Sequence, residues 1–376
     1  MLLLIHSYLP ALGGAETAVG RLAGELVARG HRALVVTHAP VRTFAWEPGA
    51  VPVLRLRIPP QCERFAAGRR YAAWRNAFNM VVLAAVALRF RADVVSCHAV
   101  NMDTVYGRWL ARLLRIPNTV TLRGTDVVRW GRLNAHRERY VAAALAGADR
   151  VSAVARALLV EAERYLPGVA ARGAVIPNLV DAAALGAVAQ VSPPSAPYVL
   201  YAGRLSAEKR VETAIDAFHA LARDGHLRDA ELRIAGDGPL AADLCARAAA
   251  GPASARIRFL GAAAPAGTAG LIKSAAALVL CSEHEGCPNV VLEAMALGAP
   301  VVAADIPAVR ELVAPGETGT LYPGGDAAAL AACLGALLAD PAPARAMAAR
   351  AGAYVRERHA PGAITDAYLA LFAPRP

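Results

Sequence analysis

Two glutamates eight residues apart, Glu285 and Glu293, frame the segment EGCPNVVLE and could bind a polar ligand. Gly286 and Pro288 predict a turn after an apolar strand, with a helix beginning near Pro288, a residue suited to the first helical position. Glu285 would lie in the loop and Glu293 a little over one turn into the helix, up to about 12 Å away. That separation is too long for sharing a proton but suits gripping two ends of a ligand rich in hydroxyl groups. The alternative is one solvated acid and one buried, locally satisfied acid.

Two cations, Arg204 and Lys209, lie in the segment AGRLSAEKR (202–210), directly after a predicted strand. Ser206 could cap the next helix. Lys209 would then lie in the first helical turn, where the macrodipole disfavours a cation unless an anion binds there. The two cations and the free N–H groups of the helix start predict a diphosphate site. The alternative is a solvated turn in which Glu208 supplies the counter-charge.

Two glycine-rich loops also follow predicted strands. Gly13 and Gly14 in SYLPALGGAETA (7–18), and Gly236 and Gly238 in IAGDGPL (234–240), could let the backbone approach a ligand closely. The first loop lacks the third glycine of the GxGxxG dinucleotide fingerprint. For both loops an ordinary turn is the alternative.

The elements that must position these loops follow from the apolar pattern. Short apolar runs alternate with longer helical stretches, which predicts parallel sheets covered on both faces. The Pro- and Ser-rich segment QVSPPSAPY (190–198) is interpreted as a linker. We therefore expect an α/β protein with two Rossmann-like, doubly wound domains facing across a cleft, and ligands beyond the carboxyl ends of the strands. Thirteen strands are predicted, at 2–6, 33–37, 53–57, 93–97, 119–122, 150–154, 174–177, 198–202, 231–235, 256–260, 277–280, 300–303 and 319–322.

Composition narrows the class of protein. The 376 residues suffice for two domains, and although 56% are hydrophobic, no apolar run approaches the ~18 residues of a membrane span. The start MLLLIHSYLP lacks a basic region and a cleavage site and is interpreted as a strand, not a signal peptide. The six cysteines form no CxxC pair, so we expect neither a zinc site nor a disulfide framework, and a reducing cytosol.

The net charge of +10 is concentrated in the first half. Residues 1–190 contain 24 arginines and 12 acids, whereas the remainder contains 16 basic and 18 acidic residues. A basic half indicates an anionic partner, such as phosphate groups, nucleic acid or an acidic membrane. No nucleic-acid-binding module is recognisable, so we expect no nucleic acid partner.

Taken together, the motifs resemble those of retaining glycosyltransferases of the group-one family, family four of the carbohydrate-active enzymes. The resemblance is carried by AGRLSAEKRVETAIDAF, IAGDGPL and SEHEGCPNVVLEAMALGAPVVA, with VIPNLVD (175–181) and GGAE (13–16) in support. It implies the GT-B fold. Residues 1–190 would form the acceptor-side domain, joined by a returning helix at about 360–376, and residues 191–359 would bind the nucleotide-sugar.

The resemblance also assigns roles to residues. Glu285 would contact the donor sugar and Glu293 the ribose, while Arg204 and Lys209 would bind the diphosphate in place of a metal, so neither a metal nor another cofactor is expected. Gly13 and Gly14 would lie near the donor, and backbone around Arg258 and Leu260 near the base. The further donor-binding candidates in the same motifs are Gly236, Gly238, Gly286, Cys287, Pro288 and Asn289.

One position departs from the family pattern. Many relatives have a histidine that points at the donor sugar where this chain has Arg123, in TLRGTD (121–126). Arg123 is therefore a catalytic candidate whose role as a sugar contact is in question. His98 and Asp126 are predicted as acceptor-side residues; for His98 the alternative is a purely structural histidine.

The stretch 64–91 combines arginines, aromatic residues and a short apolar run. It is typical of an interfacial amphipathic helix, which would suit a lipid-linked acceptor. It is also typical of a buried helix with a solvated basic end. The expected location is the cytoplasm, with peripheral contact at the inner membrane face as an option.

The function expected is hexosyl or N-acetylhexosaminyl transfer from a UDP-, GDP- or ADP-linked sugar to a hydroxyl of a glycan, a lipid-linked molecule or a small molecule. Two alternatives are a nucleotide-sugar 2-epimerase and a nucleotide-sugar-binding protein without turnover, the latter suggested by Arg123. A pyridoxal-phosphate phosphorylase is disfavoured because only Lys209 and Lys273 could form the Schiff base, and Lys209 already has a better role.

Overall fold

The computed structural model describes residues 1–9, 13–39, 44–58, 69–189, 194, 196–227 and 229–373, except for the side chains of 69–73 and 102. By its contacts the chain divides into two units. The first unit is Met1–Leu179 with the segment from Pro361 onward, and the second unit is Val180–Ala360.

The first unit contains an eight-stranded sheet. Its strands have the spatial order β3-β4-β2-β1-β5-β6-β7-β8, and every pair is parallel except β3 and β4. They are β1 (Leu2–Ile5), β2 (Leu34–His38), β3 (Phe44–Glu47), β4 (Val53–Leu56), β5 (Val95–His98), β6 (Asn118–Leu122), β7 (Arg150–Ala153) and β8 (Ala174–Val175). The central strands β1, β5 and β6 are buried throughout, as expected for parallel strands with both faces covered.

Strand β3 is absent from the sequence prediction. It is antiparallel to β4 and lies at the edge of the sheet, with only Ala45 half-buried and the other three residues exposed. Phe44 and Trp46 favour a strand, but the strand has only four residues and both aromatic side chains are exposed at the sheet edge, so no buried apolar run marks it in the sequence.

The first unit begins with helices that precede the second unit along the chain. They are α1 (Gly14–Ala28), α2 (Arg69–Phe90), α3 (Met102–Leu114), α4 (Ala135–Ala146), α5 (Arg156–Ala162) and α6 (Val169–Arg172). A π-helical turn at Asp126–Trp130 and a 3-10 turn at Gly131–Leu133 follow β6.

The second unit contains a six-stranded parallel sheet of order β11-β10-β9-β12-β13-β14. Its strands are β9 (Tyr198–Ala202), β10 (Glu231–Ala235), β11 (Ile257–Gly261), β12 (Ala277–Leu280), β13 (Val301–Ala304) and β14 (Thr320–Tyr322). Its helices are α7 (Ala182–Val188), α8 (Glu212–Arg223), α9 (Ala241–Ala249), α10 (Pro265–Ser274), α11 (Asn289–Leu297), α12 (Pro307–Arg310), α13 (Ala327–Ala339) and α14 (Ala342–Arg358).

The division falls earlier than the predicted boundary at residue 190. Helix α7 packs against α10 and α11 and therefore belongs to the second unit. Of the predicted linker, residues 190–193 and 195 lie outside the described residues.

The last helix, α15 (Pro361–Phe372), belongs to the first unit. Its residues Ile364, Tyr368, Leu371 and Phe372 are part of the apolar core under β1 and α1. Arg29, the C-cap residue of α1, forms an ion pair with Asp366, 2.5 Å from Nη1 to Oδ1. Arg150 donates to the carbonyl oxygens of residues 370 and 371. Among all described helices, none alone has the length and apolar composition needed to cross a membrane.

Candidate active site

In the second unit the loops after β9 and β10 are packed backbone to backbone. The Gly203 N–H donates to the carbonyl of Ala235 (3.0 Å), and the Leu205 N–H donates to that of Asp237 (2.9 Å). A Cβ at Gly236 would overlap the Gly203 carbonyl oxygen, and one at Gly238 would overlap the Leu205 carbonyl. Packing thus explains both glycines, and their predicted contact with a donor stays a prediction.

The segment that carries Lys209 differs from the predicted helix start. Lys209 ends a 3-10 turn, Ala207–Lys209, and α8 begins only at Glu212. Arg210, at φ 49°, adopts the left-handed conformation that interrupts a helix. Ser206 makes no capping hydrogen bond, because its hydroxyl donates to Glu208 Oε1 (2.8 Å). The prediction that Lys209 lies in the first turn of a Ser206-capped helix is therefore wrong.

The two charged motifs meet in the second unit. Lys209 Nζ lies 2.6 Å from Glu285 Oε1, in an ion pair whose side chains are 26% and 13% exposed. The loops are joined beside it by the N–H of Glu283, which donates to the Glu208 carbonyl (2.9 Å). Lys209, the predicted ligand of the diphosphate, and Glu285, the predicted ligand of the sugar, are therefore in direct contact. They are 76 residues apart in the chain.

The turn between the two glutamates is close to the prediction. Gly286, Cys287 and Pro288 are buried, and Pro288 is the N-cap of α11, which begins at Asn289. Asn289 and Glu293 are both half-buried on that helix.

Arg204 lies on the loop after β9, where its side chain is exposed and its carbonyl accepts a hydrogen bond from the Tyr201 hydroxyl (2.9 Å). Burial raises the pKa of Tyr201 well above its ordinary value, with smaller contributions from Cys281 and Glu285. The phenol therefore remains a protonated donor that fixes the Arg204 backbone.

The predicted base contacts, Arg258 and Leu260, lie on β11, the edge strand that β10 separates from β9. Arg258 Nε is 3.7 Å from Glu231 Oε1, and Leu260 is 43% exposed. Gly13 and Gly14 lie in the first unit, as the N-cap and first residue of α1. A Cβ at Gly13 would overlap the Glu16 carboxylate.

In the first unit Arg123 is the centre of a hydrogen-bonded cluster. Its Nη1 donates to Asn178 Oδ1 (2.7 Å), and its Nη2 contacts His98 Nδ1 (2.7 Å) and the Tyr368 hydroxyl (3.5 Å). Neither Asn178, which lies in the motif VIPNLVD, nor Tyr368 is marked by the sequence as a partner of Arg123. The cluster joins the end of β5, the loop after β6 and helix α15.

The sequence predicts His98 and Asp126 as acceptor-side residues, whereas the structure buries both. His98 is 0% exposed. Asp126 accepts from the N–H groups of Val100 (3.1 Å), Arg123 (3.2 Å) and Gly124 (2.8 Å), and so ties together the loops after β5 and β6. Burial raises its pKa against the opposing effect of these hydrogen bonds. Both side chains are buried, and their direct contact with an acceptor stays a prediction.

A further buried acid, Asp103, was not singled out by the sequence. It lies in the first turn of α3, is 0% exposed, and neither carboxylate oxygen has a hydrogen-bond partner in the described part of the chain. Burial raises its pKa to about 7. Across the described ranges, no group of three or more His, Cys, Asp and Glu side chains is arranged to hold a metal ion.

Comparison with known proteins matches both units to glycosyltransferase family models. The model of the family described as "Glycosyltransferase Family 4" matches residues 12–184, and that of "Glycosyl transferases group 1" matches residues 196–340. Alpha-D-kanosaminyltransferase of Streptomyces kanamyceticus is 35% identical over 145 residues, 39% of this chain and 37% of that protein. Glycogen synthase of Mycobacterium tuberculosis is 29% identical over 365 residues, 90% of this chain and 86% of that protein.

The structure of HepE from Anabaena, solved with UDP and glucose, matches with a TM-score of 0.78 over 98% of both chains at 21% identity. Such a likeness shows the fold, and the two Rossmann-like units are those of a GT-B glycosyltransferase. The two family models together match most of the chain. The protein belongs to the group 1 glycosyltransferases of family 4, which depend on nucleotide-sugars.

Proposed function

We propose that the second unit binds the donor through Arg204, Lys209, Glu285 and Glu293, and that the sugar is transferred with retention to a hydroxyl acceptor without a metal. The observation that carries this proposal is the 2.6 Å contact between Lys209 Nζ and Glu285 Oε1. It brings a phosphate-binding cation and a hydroxyl-binding carboxylate to one place, as a sugar joined to a diphosphate requires.

In the donor-free protein the two groups neutralise each other. Donor binding exchanges partners: the Lys209 ammonium turns to the diphosphate, and Glu285 accepts from sugar hydroxyls. Lys209 and exposed Arg204 then stabilise the negative charge that develops on the leaving diphosphate. Because two cations serve this purpose, a divalent metal is redundant in this proposal.

Retention follows if the acceptor attacks from the face that the diphosphate leaves. In that sequence the bond from the anomeric carbon to the diphosphate oxygen breaks, the acceptor oxygen bonds to the same carbon, and a departing phosphate oxygen takes the acceptor proton. Proton NMR of the first-formed product tests this, because an inverted anomeric configuration would exclude it.

The nucleotide is tested directly by thermal unfolding with a panel of UDP-, GDP- and ADP-linked sugars. HepE was solved with UDP-glucose, which makes this the first donor to try. A ligand that binds only the folded protein at 100 times its Kd stabilises it by about 2.7 kcal/mol. If no sugar nucleotide raises the Tm of the wild type, or if each raises that of Lys209→Ala equally, the proposed donor site is wrong.

For the acceptor we propose a lipid-linked molecule at the cytoplasmic face of an acidic membrane. Trp74, Val81 and Leu88 on α2 are 63%, 67% and 62% exposed, and their seven-residue spacing places them along one side of the helix. Of the arginines in the predicted basic end, Arg75 is buried at 9% exposure, and the side chains of Arg69 and Arg70 lie outside the described residues. Exposed Arg89, at the C-terminal end of this stripe, suits an anionic surface.

Cosedimentation with vesicles of phosphatidylglycerol and of phosphatidylcholine tests this contact. We expect binding to the anionic vesicles that is weakened in Val81→Ser/Leu88→Ser. The matched control is Val160→Ser on α5, which is 60% exposed. Equal binding by the control and the double variant would remove the stripe from the membrane contact.

A further inference from the structure

The cation of Arg123 is held only by uncharged groups. Its partners are the amide oxygen of Asn178, the ring nitrogen Nδ1 of His98 and the hydroxyl of Tyr368. Among the described residues, no carboxylate forms an ion pair with it. Elsewhere in the first unit, Arg29, Arg55 and Arg132 each have such a partner.

His98 cannot supply a negative charge, and the structure defines its tautomer. Burial and the neighbouring Arg123 charge lower the pKa of His98 well below its ordinary value, so the ring is neutral. Because Nδ1 accepts from Arg123, the proton is on Nε2, which lies 3.4 Å from Ser96 Oγ. Ser96 in turn accepts from Thr119 Oγ1 (2.9 Å).

Asp126 is close in sequence but is already engaged. Its two oxygens accept from the backbone N–H groups of Val100, Arg123 and Gly124. The guanidinium has five N–H donors, and the three contacts that hold it leave donors unused, including a buried Nε without a partner. A partly buried cation without a counter-charge is unfavourable unless a ligand supplies the charge.

The position of Arg123 suits a ligand. It directly follows β6, at the carboxyl edge of a parallel sheet, where ligands of such sheets bind. Ala99, on the adjacent loop after β5, has φ 72°, a strained conformation for a residue with a Cβ. Strain of this kind concentrates at binding and active sites.

We infer that Arg123 forms an oxyanion-binding site in the first unit, for a phosphate or carboxylate group of the acceptor. Asn178, His98 and Tyr368 are positioning residues that orient the guanidinium. The inference uses none of the donor residues of the second unit. A phosphate ester and an acidic sugar share this chemistry, and the probes below separate them.

The test uses the full chain carrying Arg204→Ala/Lys209→Ala, which removes the anion-binding cations proposed for the donor. Inorganic phosphate and glucuronate are titrated by calorimetry at fixed ionic strength, with glucose as the uncharged probe. Adding Arg123→Gln should raise the phosphate or glucuronate Kd at least tenfold. The matched control is Arg132→Gln, whose side chain is paired with Glu161. We expect it to leave both Kd values within about twofold, as for a surface change outside the site.

The two sources give different results. Preference for phosphate supports a phosphate-bearing acceptor, and preference for glucuronate supports an acidic sugar. Binding of neither anion, equal binding of glucose, or equal Kd values for Arg123→Gln and Arg132→Gln would overturn the inference.

A crystal soak keeps the inference testable if Arg123→Gln does not fold. Selenate soaked into the folded chain with Arg123 intact should give an anomalous peak at hydrogen-bond distance from the Arg123 guanidinium. Peaks confined to other arginines would overturn the site. Failure of the donor proposal can be distinguished from failure of this inference. If only the donor proposal is wrong, the wild type binds no sugar nucleotide, but phosphate still binds at Arg123.

Discussion

The two units treat their functional charges in opposite ways. In the second unit Lys209 is paired with Glu285, and both side chains are partly accessible. In the first unit Arg123 is held by neutral groups alone, and the buried Asp103 has no hydrogen-bond partner for either oxygen in the described residues. In the proposed donor site an anion would replace the Glu285 carboxylate beside Lys209, whereas in the proposed oxyanion site a ligand would neutralise Arg123. A charged side chain that has a partner within the protein costs little free energy of folding. A buried charge without a partner lowers the stability of the folded protein.

The largest expected effect is on stability and concerns Asp103, the buried acid without a hydrogen-bond partner among the described residues. Asp103→Asn should stabilise the protein above neutral pH. Burial raises the pKa of Asp103 in the folded protein to about 7, from 3.8. Below pH 4 both states are protonated, and between pH 4 and 7 only the unfolded state ionises, so stability falls as pH rises through that window. The pKa difference corresponds to on the order of 4 kcal/mol.

Urea unfolding between pH 4 and 8 measures this effect. The wild type should lose stability relative to Asp103→Asn across that range. The exposed acid Asp93 provides the control, because Asp93→Asn should keep the wild-type pH dependence. Parallel curves for wild type and Asp103→Asn would show that Asp103 has a partner in solution.

The next effect tests the paired cation. Lys209→Ala should lower kcat/KM about 10- to 150-fold, because a charge-assisted hydrogen bond to the diphosphate contributes about 1.5–3 kcal/mol. The partly exposed pair contributes little to folding, so the variant should keep the wild-type circular dichroism spectrum. Lys273→Ala, which changes the other, exposed lysine, should leave the rate unchanged. Wild-type activity in a folded Lys209→Ala would end the diphosphate role.

The two glutamates should separate by kinetic parameter. Glu285→Gln should lower kcat more than it raises the donor KM, since its contacts with the sugar strengthen as charge develops there. Glu293→Gln should mainly raise KM, because ribose changes little during transfer. Calorimetry with the free nucleoside diphosphate decides between the roles. Equal loss of nucleotide binding in both variants would reduce the pair to a structural feature of the turn.

The smallest expected effect is that of a chelator. If Arg204 and Lys209 neutralise the leaving group, EDTA should leave initial rates unchanged. Loss of activity that magnesium or manganese restores would mean that the cations do not suffice.

The alternation of apolar runs predicted the parallel strands well, because strands buried on both faces are marked by their own residues. The contact between Lys209 and Glu285 could not be predicted from apolar runs, because it depends on how two loops that follow different strands pack together. Gly236 is also required for a reason that the sequence does not show: the neighbouring Gly203 carbonyl oxygen leaves no room for a Cβ there. The burial of His98 and Asp126 could not be predicted, because a polar residue at a strand end or in a loop does not reveal whether its side chain turns inward.

The return of α15 to the first unit matters while the protein is being made. Ile364, Tyr368, Leu371 and Phe372 belong to the core of the first unit, yet they follow the whole second unit in the chain. A ribosome adds roughly 5–20 residues per second, and N-terminal domains usually fold first. Here the first unit to be translated cannot complete its core until the whole second unit has been translated. The partly finished surface around β1 and α1 is therefore where a nascent chain would need a chaperone.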